Sequence, residues 1–180
     1  REEVIAAQET RIDDLDTRLA AALAREVDEL QRFRSDFFGR LREVLGDRED
    51  VRVVGDRFVF QSEVLFDRAE ARLDEDARAQ LRDLADTLEQ VTAELPEDLP
   101  WVLQINGHTD RRPISTARFP SNWELSTARA TSVAKFLIDQ GVPADRVAAA
   151  GFAEYQPIDP RDSEEAYRRN RRIEVKLTTR

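Results

Sequence analysis

Residues 101–110 read Trp-Val-Leu-Gln-Ile-Asn-Gly-His-Thr-Asp, and residues 121–130 read Ser-Asn-Trp-Glu-Leu-Ser-Thr-Ala-Arg-Ala. In the first stretch Trp101, Leu103 and Ile105 fall on one face and Gln104 and Asn106 on the other, the period of a strand with one side buried. In the second, Ser121 is followed three residues later by Glu124, a capping-box start. Leu125, Val133, Phe136 and Leu137 then recur at helical spacing. A strand is therefore predicted to lead through a polar loop (residues 107–120) into a helix that Gly141 ends. One residue of that helix is out of place. At 100° per residue Arg129 lies in the middle of the apolar arc, and a guanidinium enters a buried face only with partners that satisfy it. Asp110, at the exit of the strand, is the nearest candidate. The pattern alone leaves two readings open: a buried Arg129–Asp110 salt bridge that fixes the loop, or a charged pair that serves a ligand.

Outward from this unit, Val51, Val53 and Val54, then Gly55-Asp56, then Phe58, Val59 and Phe60 predict two short strands around a tight turn. Residues 73–95 predict a helix with Asp74 as N-cap, an apolar face of Leu81, Leu84, Leu88, Val91 and Leu95, and a stop at Pro96 and Pro100. Residues 147–152 predict a short strand, and residues 172–177 alternate cleanly as a closing one. The expected fold class is α+β, a mixed sheet with two helices packed on one face, carried after a long N-terminal helix.

That leading helix covers residues 1–45. Ile5, Ile12, Leu15, Leu19, Leu23, Val27, Leu30, Phe37, Leu41 and Val44 follow steps of three, four and seven, with one stutter near Leu23. The rest of its surface is dense in charge, so a self-associating coiled coil is expected in preference to a helix folded back on its own domain. Its seam would hold Leu19, Leu23, Leu30, Phe37 and Leu41, its stop would be Gly46-Asp47, and its length roughly 65 Å. The expected division is a stalk over residues 1–46 and a domain over residues 47–180.

Bulk composition narrows the function. A formal net charge of −9 argues against general nucleic-acid binding, because phosphate attraction needs a basic field. The chain has no Cys, which removes thiolate nucleophiles and Cys-based metal sites, and His108 is its only His. Nothing in the spacing joins His108 to one serine as a triad would require. No metal, cofactor or catalytic residue is expected, and His108 reads as a structural loop residue. No run approaches the ~20 apolar residues of a membrane helix. The chain starts at Arg1 and contains no Met, so it reads as a piece of a longer protein whose anchor lies outside this sequence.

Taken as one string, Asn106-Gly-His-Thr-Asp110, Asn122-Trp-Glu-Leu-Ser-Thr-Ala-Arg-Ala130, Gly141-Val-Pro, Gly151-Phe, Gln156-Pro-Ile and Asn170-Arg-Arg-Ile-Glu174 resemble the OmpA C-terminal family, including the MotB-type wall-binding domains of flagellar stators. The resemblance spans residues 51–178. It implies non-catalytic binding of peptidoglycan through the diaminopimelate of its stem peptide. Asp110 would take the ligand's ammonium and Arg129 its carboxylate, with Asn122, Thr109 and Arg171 facing the same groove. A fixed anion beside a planar guanidinium fork suits such a ligand. Two departures stand out. The loop over residues 111–120 resembles the longer MotB-type form, and its Arg111, Arg112 and Arg118 read as solvated surface in preference to contacts with glycan or stem carboxylates. Ala69 occupies a position where some members carry a polar ligand contact.

The resemblance further implies a periplasmic domain with a membrane-protein partner reached through an inner-membrane tether upstream, and the seam of the N-terminal helix predicts a homodimer, parallel in arrangement. The parent would be a flagellar stator, a stator-like motor or a general envelope tether; an upstream membrane helix carrying Asp would mark the proton-driven motor. The competing class is a structural envelope scaffold with little wall binding.

Overall fold

The computed structural model describes residues 2–45, 51–94, 97 and 99–179. Gly46-Asp47 and Leu95-Pro96, and the side chains of Leu41 and Val44, lie outside the described residues. In chain order the elements are helix α1 (Glu2–Leu45), strands β1 (Val51–Val54) and β2 (Arg57–Gln61), a single turn α2 (Ser62–Leu65), helix α3 (Glu75–Thr92), strand β3 (Trp101–His108), helix α4 (Asn122–Asp139), a 3-10 turn (Ala144–Arg146), strand β4 (Val147–Gly151), helix α5 (Glu164–Asn170) and strand β5 (Arg172–Thr179). No helix among the described residues is long and apolar enough to cross a membrane.

The strands form one mixed sheet in the order β1-β2-β5-β3-β4, in which only the β3–β4 pair is parallel. Phe58, Phe60, Leu103, Ile105, Ile173, Val175 and Leu177 line one buried face. Leu81, Leu84 and Leu88 of α3 and Val133 and Leu137 of α4 cover it. Asp74 caps α3 as expected, its side chain accepting from Ala77 N at 2.7 Å. The helix starts at Glu75, two residues after the expected Leu73, since Asp74 is still extended and Leu73 is bridged to Phe66. Tight approach of α4 explains the glycines of the motif: a Cβ on Gly107 would lie 2.1 Å from the Ser126 carbonyl oxygen, and one on Gly151 would lie 2.2 Å from Thr127 Oγ1. The short α5 has no counterpart in the sequence reading. Its seven residues carry too little apolar periodicity, although Ser163 caps it through Ala166 N at 3.2 Å.

The leading helix departs from the expected stalk. From Leu30 onward it belongs to the domain core: Leu30, Phe33, Phe37 and Phe38 are all buried. Phe38 stacks on Phe58 at 5.1 Å and Phe33 tilts against Trp101 at 6.2 Å. Arg40 pairs with Glu94 at 2.9 Å, fastening the helix to the end of α3. Leu30 and Phe37 are therefore taken up by the chain's own core and leave the expected seam. The physical reason is aromatic area. Each ring offers 150–250 Å² in general, and within the domain the rings meet Trp101 of β3 and Phe58 of β2 in the same core that α3 covers. Only the earlier part of the helix stands apart, with Ile5, Ile12, Leu15, Leu19, Leu23 and Val27 each 53–59% exposed.

Candidate functional site

The loop after β3, the first turn of α4 and the end of α5 bring together four of the five residues expected at the site. Thr109 and Asp110 follow β3 directly and are buried. Thr109 N donates to Ala153 O at 2.9 Å and its hydroxyl to Asp110 O at 3.0 Å, which ties the exit of the strand to the loop after β4. Asn122 donates from Nδ2 to the carbonyls of Asp110 (3.4 Å) and Arg112 (3.1 Å), so this amide holds the loop. Arg171, at the end of α5, reaches Asp110 at 2.6 Å and also pairs with Glu63.

Asp110 is heavily partnered. Besides Arg171, it accepts from Arg112 N (2.8 Å) and from the Arg112 guanidinium (2.8 Å). Arg112 is itself held by Glu164 (2.9 Å) and lies 4.7 Å from the centre of the Tyr167 ring. Burial alone would push the Asp110 carboxyl up; the hydrogen bonds from Arg112 and Arg171 outweigh it and hold the group below its ordinary value. The expectation of plain solvated surface therefore fits Arg111 and Arg118, which are exposed and paired with Asp162 and Glu70. It does not fit Arg112. The only sequence signal for its role is its place two residues after Asp110.

Arg129 is 5% exposed and does not pair with Asp110. Its Nε donates to the Glu70 carbonyl at 2.8 Å and its Nη2 to the Asp67 carbonyl at 3.3 Å. The ring of Phe66 lies 5.2 Å from the guanidinium carbon. Among the described residues no carboxylate forms an ion pair with it. Burial pulls its pKa down to about 10, and Glu63, Asp110 and Glu70 act on it only from a distance, opposed by Arg171. The group thus stays charged at neutral pH in a polar pocket that provides carbonyl dipoles and no counter-ion. That pocket depends on the turn between Phe66 and Leu73, where Ala69 takes a left-handed conformation (φ 59°). Ala69 contributes backbone shape here and no polar side chain.

The remaining motif residues hold the frame. Asn170 accepts from Ile158 N (2.9 Å) and Asp159 N (3.0 Å) and donates to Asp159 O (2.7 Å), pinning the loop before α5. Arg172 pairs with Glu174 at 2.7 Å on the second face of the sheet. His108 sits beside them, 2% exposed, stacked on Phe152 at 5.0 Å and 3.7 Å from Glu174. Neither of its ring nitrogens has a hydrogen-bond partner among the described residues, and Ser126 is engaged with Trp123 O and Ala153 N. No serine–histidine pair is formed there. Among the described residues no group of His, Asp and Glu is placed to hold a metal ion.

Comparison with known proteins places these features in a family. The OmpA family model matches residues 65–171. The uncharacterized protein YtxE of Bacillus subtilis (strain 168) is 39% identical over 118 residues, 65% of this chain and 46% of that protein, so the chain spans less than half of this relative. A MotB-like protein from Desulfovibrio vulgaris superposes with a TM-score of 0.73 at 26% identity, over 86% of this chain and 96% of that one. The cell wall anchor of the T6SS from Pseudomonas aeruginosa superposes with a TM-score of 0.61 at 32% identity, covering 84% and 97%.

The buried charges give the site's frame a pH signature. Burial lowers the His108 pKa and outweighs the opposing pull of Glu174, so the imidazole takes up a proton less readily in the folded protein than in the unfolded chain. Above about pH 6.5, the ordinary value, it contributes nothing to the pH dependence. Below it, the unfolded chain takes up a proton more readily than the folded chain, so stability falls as pH falls. Glu174 and Asp110 are both depressed; their contributions are lost lower still, below about pH 4.5. His108→Phe keeps an aromatic ring on Phe152. It should flatten the melting temperature between about pH 7 and 5 and leave the loss below about pH 4.5 in place. Identical slopes for parent and variant between pH 7 and 5 would contradict a buried His108 with a lowered pKa.

Proposed function

Because the chain belongs to the OmpA family, we propose that its domain binds peptidoglycan without catalysis, through the diaminopimelate of the stem peptide. The observation that carries this reading is Arg129: a buried cation with carbonyl partners and no carboxylate. A ligand carboxylate arriving there supplies the missing counter-charge in a desolvated place, where charge-assisted hydrogen bonds are strong. The distal end of diaminopimelate carries an ammonium beside that carboxylate, and Asp110 is the buried anion nearby. On this reading the ammonium displaces the Arg112 guanidinium from Asp110. Arg112 is 45% exposed and retains Glu164 and Tyr167 as partners after it moves. Arg171 stays between Asp110 and Glu63 and sets the angle of the carboxylate, while Thr109 and Asn122 hold the loop.

The test is co-sedimentation with purified diaminopimelate-containing sacculi, with unfolding measured beside it. Arg129→Ala and Asp110→Ala should each lose ~2–5 kcal/mol of binding, the cost of leaving one member of a desolvated charged set unpaired. Arg112→Ala should not weaken binding, since that side chain competes with the ligand. Parental binding by a folded Arg129→Ala variant would overturn the assignment, and release of soluble muropeptides by the pure protein would overturn the non-catalytic reading.

The proposal extends to a wall anchor held at a distance from an inner-membrane partner in the periplasm, as in a motor stator or a general tether. Residues 2–29 of α1 would form the spacer, roughly 40 Å long. Its row of Ile5, Ile12, Leu15, Leu19, Leu23 and Val27 is solvated in the single chain, and pairing with a second copy buries it. Two heads then hold one polymer through effective concentration. The seam proposed here ends where Leu30 turns into the domain. Sedimentation at micromolar concentration should show a dimer for the full chain and a monomer for Leu15→Asp combined with Leu19→Asp. A monomeric parent would remove the spacer from the proposal.

A further inference from the structure

Two aromatic side chains stand together in solvent beside the site. Trp123 is 49% exposed and Tyr155 is 64% exposed, yet their rings stack on each other with centroids 5.4 Å apart and planes 28° apart. Leaving both in water forgoes the burial that other aromatic residues of the chain obtain. Each ring hangs from backbone that is fixed at the site. Trp123 lies in the first turn of α4, where its N–H donates to Ser121 Oγ (3.2 Å) and its carbonyl accepts from Ser126 Oγ (3.1 Å). Tyr155 follows Ala153, a buried residue in the left-handed region (φ 50°). Ala153 O accepts from Thr109 N, and Ala153 N donates to Ser126 Oγ at 3.1 Å. A left-handed L-residue costs about 1 kcal/mol or more and persists where surrounding contacts impose it. Those contacts join the Tyr155 loop to both the Thr109-Asp110 segment and α4.

We infer that the Trp123–Tyr155 stack is a platform for a pyranose ring of the glycan strand. The inference rests on the reading of Asp110 and Arg129 as the stem-peptide site and extends that site outward. A pyranose presents a face of C–H groups that lies flat on the electron-rich face of an aromatic ring. Its hydroxyls remain in water, so a half-exposed ring suits a sugar better than it suits a wholly apolar ligand, which needs an enclosed pocket. Connectivity points to the same ligand. The stem peptide hangs from a sugar of the strand, and about three extended residues span roughly 10 Å. Trp123 is the chain neighbour of Asn122, whose amide contacts the carbonyls of Asp110 and Arg112. The sugar that bears the stem thus reaches the platform while diaminopimelate reaches Asp110 and Arg129.

Two soluble ligands test this by calorimetry on the full chain: a muropeptide carrying its disaccharide, and the same stem peptide without sugar. The muropeptide should bind about fivefold or more tightly, in keeping with partial burial of an aromatic ring. Trp123→Ala and Tyr155→Ala should each abolish that advantage and leave the affinity for bare peptide unchanged, and Trp123→Phe should restore most of it. Asp110→Ala should weaken both ligands. Equal affinity of the parent for the two ligands, or equal losses for both in the aromatic variants, overturns the platform and leaves the stem-peptide site standing. Undiminished binding of both ligands by Asp110→Ala, with the sugar advantage retained, overturns the stem-peptide site and leaves the platform. Failure of the folded parent to bind either ligand overturns both.

Discussion

A guanidinium taken out of water costs several kcal/mol unless its surroundings replace the lost hydration, and Arg129 is placed in that situation by the fold itself. It projects from a buried face of α4 toward the turn that follows β2 and α2, and the carbonyls of Glu70 and Asp67 and the ring of Phe66 receive it. Much of the local structure serves this contact. The turn from Phe66 to Leu73 closes through a bridge and a left-handed Ala69, which together aim two carbonyls at one cation. Gly107 and Gly151 let α4 lie against β3 and β4 with no room for a Cβ, which fixes the depth at which Arg129 sits.

Asp110 is the converse case, a buried anion with more cationic partners than its charge requires. The site therefore holds a cation short of an anion beside an anion shared by two cations. On the proposed reading a zwitterionic end group corrects both at once, its carboxylate completing Arg129 while its ammonium replaces the half-exposed Arg112. The donors and acceptors are already in place on α4 and at the end of β3, so on this reading little ordering cost is incurred at binding.

Much of this was legible in the sequence for physical reasons. Alternation at residues 101–106 and 172–177, capping at Asp74 and Ser121, and helical spacing on α4 are local signals, and each corresponds to an observed element. Arg129 could be singled out because a charge on an apolar arc is anomalous wherever the helix packs. Its partners could not be read, since they are backbone carbonyls some 60 positions earlier in the chain. The engagement of Asp110 by Arg112 and Arg171 likewise depends on how a loop and α5 fold over one another. Phe33, Phe37 and Phe38 show the limit of periodicity. Spacing along α1 says that a face will be buried, but whether a second helix or the chain's own sheet buries it depends on which surface the remaining elements leave open.

The central claim is that the site reads a carboxylate and an ammonium together, and two otherwise identical stem peptides isolate the carboxylate. One carries diaminopimelate; the other carries lysine, which retains the ammonium and lacks the distal carboxylate. Titrated calorimetrically into the full chain, the lysine peptide should bind weaker by roughly thirtyfold or more, the loss expected when a buried charge is left unmatched. Equal affinities for the two peptides would show that Arg129 is satisfied by its carbonyls alone and would contradict the account.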